Sequence, residues 1–168
     1  MIMKCFCLVV LFLLLLIPTD ISLAQQLPEE QPKALVCAIG DSHVTPGSAL
    51  IRELQRELGP EYRVIGRGRR GWSSIRWLRA GGFGRCQFAD IVLVSLGGND
   101  ERAGLTELQV NSNIKRLISG LPSGIRHYHM TQPRFVRPSL RLGQDGRHLT
   151  RRGAREYARI LAPILIDL

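Results

Sequence analysis

The sequence is poor in cysteine, histidine and aromatic residues, and these shortages narrow the kinds of protein it can encode. Four cysteines among 168 residues are too few for a fold that depends on a disulfide framework. Cys37 and Cys86 lie beyond the amino-terminal segment, and an exported chain could pair them. Cys37 nevertheless falls in a predicted buried strand, where we expect a free thiol that packs as a small apolar residue. Four histidines without cysteine or carboxylate at ligand spacing predict no metal site.

The sequence also lacks an apolar run long enough to cross a membrane. Leu8–Ile17 is unbroken but only about ten residues long, whereas a spanning helix needs about 20. A lysine before the run and small residues after it predict a secretory signal peptide over residues 1–24, with an uncleaved anchor as the alternative. Residues 25–33 are then a flexible leader to a single domain over residues 34–168. We expect a secreted or periplasmic protein without a membrane span after cleavage.

The charge of the chain is one-sided and is carried almost entirely by arginine. The formal net charge is +9, with 20 arginines against 3 lysines. Such an excess favours anionic partners such as acidic glycans, lipid headgroups or nucleic acid, although arginines spread along a chain are also typical of a solvated surface. No basic segment alternates with aromatic residues, so nucleic-acid binding is not favoured.

Apolar runs alternate with helical patterns after the leader. Strands are predicted over residues 34–39, 62–65, 90–96 and 125–130, and those at 34–39 and 90–96 are apolar enough to be buried. Helical periodicity covers residues 48–58, 73–78 and 105–119, and a last helix begins after Thr150 as its N-cap. Strands that alternate with helices predict an α/β fold with a parallel sheet covered on both faces, a three-layer α/β/α sandwich.

A serine follows the first predicted strand, in the segment Gly40-Asp41-Ser42-His43. Functional residues of open α/β sheets gather at the carboxyl ends of strands. Ser42 falls just before a helix, so its hydroxyl can attack a carbonyl while its own N–H donates to the developing oxyanion. An ordinary N-cap serine is the alternative interpretation.

Two further segments offer N–H donors at the same edge of the sheet. Residues 66–71 match the dinucleotide pattern G-x-G-x-x-G, but they follow the second strand and lack a suitably placed acid, so we reject that function. Gly71 instead offers a backbone N–H near the reacting centre. Asn99, on a tight turn after Gly97 and Gly98, offers a side-chain amide as a second oxyanion donor. The alternative is that Asn99 and Asp100 merely bond their own turn.

The last segment, Asp145-Gly146-Arg147-His148, supplies a base. Histidine is the usual base near neutral pH, and a carboxylate that bonds Nδ1–H leaves Nε2 free for the serine. The other histidines are less suited: His127 and His129 are expected to pack, and His43 is expected to point away from Ser42. Asp41 and Asp100 are rivals of Asp145, but both are expected to brace their own turns.

Together these four segments resemble the SGNH (GDSL-type) hydrolase family over residues 34–165. The resemblance implies a flavodoxin-like sheet of order 2-1-3-4 and cleavage of esters or thioesters without a metal or organic cofactor. It implies Ser42 as nucleophile, Asp145 and His148 as its partners, and Ser42, Gly71 and Asn99 as the oxyanion hole. The sequence departs from the family pattern at His43, where leucine is common, and in the short segment before Asp145. That segment leaves either a sheet of four strands or a fifth edge over Arg134–Leu142.

The sequence therefore predicts a secreted, monomeric serine esterase that cleaves short acyl esters, with O-acetyl groups on a glycan as candidate substrates. The basic loop at Arg67, Arg69 and Arg70 favours a substrate with negative charge. Two alternatives stay open: an acyl hydrolase of the lysophospholipase or thioesterase type, and a catalytically silent glycan-binding sandwich.

Overall fold

The computed structural model describes residues 34–130 and 142–168 of the chain. Their strands form one sheet, in chain order β1 (Ala34–Gly40), β2 (Tyr62–Gly66), β3 (Ile91–Ser95) and β4 (Arg126–His129). The spatial order is β2-β1-β3-β4, which confirms the predicted order 2-1-3-4. Every pairing in this sheet is parallel, so all its carboxyl ends lie at one edge.

Helices cover both faces of the sheet. Their bounds are α1 (Ala49–Leu58), α2 (Ser74–Arg79), α3 (Gly98–Arg102), α4 (Glu107–Ser119) and α5 (Arg151–Ile166). The buried apolar side chains of α1 and α5 belong to one core cluster, and those of α2 and α4 belong to another. The predicted three-layer α/β/α sandwich is therefore confirmed.

The two central strands, β1 and β3, are almost entirely buried because helices cover each face of the sheet. Val36 and Ala38 of β1 belong to the cluster of α1 and α5, whereas Cys37 and Ile39 belong to the cluster of α2 and α4. All five residues of β3 are buried. The loops that leave β1 and β3 therefore start from well-packed strand ends.

A buried acid joins α1 to α5. Glu53 of α1 is 2% exposed, and its carboxylate accepts hydrogen bonds from Arg56 and from Arg155 of α5. Burial alone would raise the pKa of Glu53, but the two arginines outweigh it and the pKa is lowered. This ionised contact fixes the helix that follows the His148 segment.

The expectation of a free thiol at Cys37 is wrong. Cys37 and Cys86 form a disulfide across a sequence separation of 49 residues. Cys86 lies in a short 3₁₀ turn, Gly84–Cys86, which packs in the same core cluster as Cys37. Sequence reasoning missed the pairing because nothing local to either cysteine shows that this turn lies against β1.

Two other expectations need correction. The segment predicted as a tight turn at Asn99 is the start of α3, which begins at Gly98. His127 is exposed rather than packed, because β4 lies at the edge of the sheet. His129 is partly buried, and its Nε2 lies 3.2 Å from the Leu96 carbonyl oxygen.

Some predictions fall on residues that are not described. The signal peptide and the leader lie outside the described residues, as does nearly all of the possible edge at Arg134–Leu142. Leu142 itself makes an isolated antiparallel bridge with Leu149. No helix in residues 34–130 and 142–168 combines the length and apolarity that crossing a membrane requires.

Candidate active site

Ser42 lies at the carboxyl end of β1, where the chain turns sharply. Gly40 has φ +145°, and a Cβ placed there would lie 1.9 Å from the Ser95 carbonyl oxygen. Only glycine tolerates both that conformation and that approach. The Asp41 N–H donates to the same oxygen at 2.9 Å, so the turn is fixed to the end of β3.

Asp41 braces this turn, as predicted. Its side chain is buried, and Oδ1 accepts hydrogen bonds from the Ser95 hydroxyl at 3.0 Å and from the His43 N–H at 3.0 Å. Ser42 begins the short 3₁₀ turn Ser42–Val44, with Asp41 as its N-cap. The serine is thus presented at the start of a turn, where its own N–H has no partner among the described residues.

Two glycines of residues 66–71, Gly66 and Gly68, allow close packing against the Ser42 turn. A Cβ on Gly68 would lie 2.2 Å from the Asp41 carbonyl oxygen. The Gly68 N–H donates to Val44 O, and the Arg69 N–H donates to Gly40 O, both at 2.9 Å. The loop therefore carries Gly71 to the rim of the pocket that contains Ser42.

Asn99 reaches the same pocket from β3. Its Nδ2 donates to the Trp72 carbonyl oxygen at 2.8 Å, and Arg102 donates to its Oδ1. Both ends of the amide are therefore held. Asp100 is fully buried and accepts from the Gly97 N–H at 3.2 Å and from the Ser74 N–H at 2.8 Å. Asp100 thus braces its own turn, as predicted.

The Asp145–His148 segment brings an imidazole to Ser42. Ser42 Oγ lies 2.9 Å from His148 Nε2, and Asp145 Oδ2 accepts a hydrogen bond from His148 Nδ1. Asp145 Oδ1 also accepts from the N–H groups of Arg147 and His148, each at 3.0 Å. Asp145 thus fixes both the tautomer and the orientation of the ring.

The environment keeps Asp145 ionised. The hydrogen bond from the His148 ring, followed by those from the backbone N–H groups of His148 and Arg147, holds the pKa of Asp145 far below its usual range. A carboxylate at this place favours a proton on Nδ1, which leaves the lone pair of Nε2 facing the Ser42 hydroxyl.

His43 points away from the Ser42 hydroxyl, as expected, and its ring makes two other contacts. Its Nδ1 lies 3.0 Å from Asp41 Oδ1, and its Nε2 lies 3.1 Å from the Arg147 carbonyl oxygen. The segment that carries the base therefore contacts the turn that carries Ser42 through a second histidine. Sequence reasoning missed this contact because it joins residues 104 positions apart.

A pocket of about 490 Å³ opens at this edge of the sheet. All the predicted site residues line it except Asp145, which stands behind His148, and two arginines line it as well: Arg70 and Arg102. Of the basic loop, Arg69 instead stacks on the Trp72 ring at 4.4 Å. Arg102 could not be foreseen, since α3 was predicted as a turn. In the described part of the chain no three histidine, cysteine or acidic side chains are grouped for a metal.

The fold of the described residues is similar to that of solved esterases. An M. smegmatis aryl esterase aligns at TM-score 0.60 and 13% identity over 80% of this chain and 99% of its own. A carbohydrate acetylesterase family member from Sinorhizobium meliloti aligns at TM-score 0.57 and 16% identity over 80% of this chain and all of its own, 100%.

A provisionally assigned lipolytic protein of the G-D-S-L family, from Desulfitobacterium hafniense DCB-2, is similar too. It aligns at TM-score 0.59 and 12% identity over 79% of this chain and 99% of its own. These likenesses confirm the fold that the SGNH (GDSL-type) resemblance implied. No protein-family model matches the sequence, and no curated protein matches it.

Proposed function

We propose that the protein is a serine ester hydrolase that acts through an acyl-enzyme on Ser42. His148 Nε2 takes the hydroxyl proton as Ser42 Oγ attacks the ester carbonyl. Collapse of the tetrahedral intermediate expels the alcohol, which takes the proton back from His148. Water, activated by the same imidazole, then releases the acid and restores Ser42.

The single observation that carries this proposal is the chain of contacts from Asp145 through His148 to Ser42. The 2.9 Å between Oγ and Nε2 is a hydrogen-bond distance. The carboxylate on Nδ1 stabilises the imidazolium that forms during attack. An N-cap serine with no chemical role needs neither partner.

Three N–H groups are suited to the oxyanion. The backbone N–H of Ser42 and that of Gly71 have no acceptor within residues 34–130 and 142–168, and both residues line the pocket. Asn99 Nδ2 carries two hydrogens, of which Trp72 O engages one. The second is free to donate to the developing charge, and the fixed amide needs no reorganisation when that charge appears.

The pocket favours a short acyl group on an anionic carrier, and O-acetylated glycans with negative charge are the substrate class that we propose. Its volume is modest, about 490 Å³, and it is open to solvent. Arg70 and Arg102 add positive charge to its lining. Among proteins of similar fold are several described as carbohydrate esterases, including one of family 3 from Clostridium thermocellum.

Export fits the same function. The Cys37–Cys86 disulfide is buried, and structural disulfides form and persist in oxidising compartments. Together with the predicted signal peptide, this supports a periplasmic or extracellular site of action. Acylated envelope or extracellular glycans would then be accessible substrates.

The test is hydrolysis of p-nitrophenyl acetate and octanoate by the purified protein, by Ser42→Ala and by Ser112→Ala. Ser112 is an exposed serine on α4 and serves as the matched control. We expect faster acetate hydrolysis by the unmodified chain and by Ser112→Ala, and none above background by Ser42→Ala. Preference for octanoate would favour the lipid-hydrolase alternative. Equal rates for Ser42→Ala and the unmodified chain would refute a serine mechanism.

A further inference from the structure

His43 forms a bridge between the two halves of the candidate site. Its ring lies between the Asp41 carboxylate and the Arg147 carbonyl oxygen, at 3.0 and 3.1 Å. The His43 side chain is only 8% exposed, whereas Arg147 is an exposed residue. Arg147 is the residue immediately before His148 in the chain.

Both partners of the His43 ring are acceptors. A carbonyl oxygen cannot donate, and Asp41 Oδ1 already accepts from the Ser95 hydroxyl. Each ring nitrogen therefore needs its own proton, and only the imidazolium form has both. Burial of the ring works against this charge, but the hydrogen bond that the ring donates to Asp41 and the negative charge of Asp41 outweigh it, and the pKa of His43 is raised.

The segment held by this bridge has little other burial. The side chains of Asp145 and His148 are 47% and 57% exposed. Local hydrogen bonds shape the segment, such as Gly143 N–H to His148 O at 2.7 Å. Exposed segments with few apolar contacts open at low free-energy cost, so the contact between the His43 ring and the Arg147 carbonyl oxygen has a large effect on where His148 lies.

We propose that His43 is a positioning residue whose charged ring holds the Asp145–His148 segment over Ser42 and releases it when the ring becomes neutral. The proposal rests on the function proposed above, since it assigns the regulation of that site by pH.

Loss of a proton from His43 breaks the contact with the Arg147 carbonyl oxygen and leaves the contact with Asp41 in place. The groups that face the ring are Asp41 on its own turn, and Asp145 and His148 on the segment opposite, with the two imidazole centroids 5.7 Å apart. The Asp41 charge retains the proton on Nδ1, so Nε2 is the atom that loses its proton. A lone pair then faces the Arg147 carbonyl oxygen, and attraction becomes repulsion.

The direction of the pH effect follows from these shifts. The bridge is complete below the ordinary pKa of His43, 6.5, and is lost as the pH rises through the raised value. Asp145 stays ionised throughout, because its pKa is lowered. Loss of the bridge as the pH rises through the raised pKa of His43 therefore gives the alkaline limb of the activity profile.

The first test compares pH profiles of the full-length protein with those of His43→Gln and His43→Leu. Glutamine carries an amide N–H about as far from the backbone as Nε2 and does not titrate. We expect His43→Gln to keep near-normal kcat and to lose the alkaline limb. His43→Leu should lower kcat about ten- to a hundredfold while KM changes less than about twofold. A merely structural role would not move the alkaline limb.

A readout that does not need activity separates this proposal from the proposed function. Side-chain ¹⁵N NMR of His43 should show both nitrogens protonated at pH 6, and amide hydrogen exchange at Arg147 and His148 should accelerate in His43→Leu. A singly protonated ring at pH 6, or equal exchange and equal pH profiles in all three proteins, would overturn the bridge. If the protein shows the doubly protonated His43 ring but hydrolyses no ester, only the proposed esterase function would be refuted. Should His43→Leu not fold, the unmodified chain and His43→Gln still decide the matter.

Discussion

The two halves of the candidate site are built in different ways. Ser42 and Asn99 follow the ends of β1 and β3, whose residues are almost entirely buried in the core between helix layers. Asp145 and His148 lie on an exposed segment that precedes α5. The first half takes its position from the sheet, whereas the second takes it from hydrogen bonds within the segment and from the His43 bridge.

This difference implies that stability and activity depend on different residues. Removing a side chain from the sheet half disturbs packing that the whole fold shares, and the free energy of unfolding should fall. Removing one from the exposed half leaves the core intact, so only the alignment of the imidazole should suffer. The following variants test that separation, in descending order of expected effect.

The largest effect should come from His148→Ala, despite the exposure of that side chain. A nucleophile and its base act as a unit, so kcat should fall roughly 10⁴- to 10⁶-fold, as far as in Ser42→Ala. The melting temperature should stay within about 1–2 °C of the unmodified value, because no core contact is lost. Steady-state kinetics and thermal denaturation measure the two quantities. A double variant, Ser42→Ala with His148→Ala, that is much slower than either single variant would show that Ser42 and His148 act independently.

Removing the Cys37–Cys86 disulfide tests the half of the molecule that is built on the sheet. Cys37→Ala with Cys86→Ala removes a crosslink over a sequence separation of 49 residues, which should lower the free energy of unfolding by about 4 kcal/mol. At temperatures where the variant is still folded, kcat should be nearly unchanged, since neither cysteine lines the pocket. Urea denaturation with and without reductant provides the measurement. An equal stability of oxidised and reduced protein would contradict this account.

Asn99→Ala should affect activity more than stability although it belongs to the sheet half. Loss of one oxyanion donor lowers kcat roughly 10²- to 10³-fold with little change in KM. Asn111→Ala, at an exposed asparagine of α4, is the matched control and should behave like the unmodified chain. Unchanged turnover in Asn99→Ala would remove Asn99 from the mechanism.

The half of the molecule built on the sheet was the more predictable from sequence. Strands of continuous apolar residues, such as β3, predict burial on both faces of the sheet. Gly40, which precedes Ser42 by two residues, indicates the sharp turn. The disulfide was not predictable, because it joins two distant segments, and α3 was not predictable because Gly97 and Gly98 are residues typical of a turn. Cys86 in particular has no local pattern that reveals its neighbour.

Within the candidate site, contacts inside one segment were predictable and contacts between distant segments were not. The spacing of Asp145 and His148 indicated their mutual contact, because three residues suffice to fold a carboxylate back onto an imidazole. The bridge from His43 to Arg147 could not be inferred, since it depends on how the last segment lies across the Ser42 turn. Likewise Arg102 reaches the pocket only because residues 98–102 are helical.

The smallest expected effect comes from removing a helix cap. Comparing the caps of α4 and α5 tests most directly the difference between the two halves of the site. Thr150, two residues after His148, caps α5 by accepting a hydrogen bond from the Gly153 N–H at 3.1 Å. Thr106 caps α4 in the same way by accepting from the Gln109 N–H at 3.3 Å. Substituting alanine at either should lower the free energy of unfolding by about 1 kcal/mol.

Their effects on turnover should differ. Thr150→Ala loosens the point at which the exposed segment joins α5, so kcat should fall a few-fold, whereas Thr106→Ala should leave kcat unchanged. Comparing the two variants at equal fractions of folded protein isolates the position of His148 from stability in general. Equal kcat in both variants would mean that the His148 segment is held by its own hydrogen bonds and by His43 alone, independently of the helix that follows it.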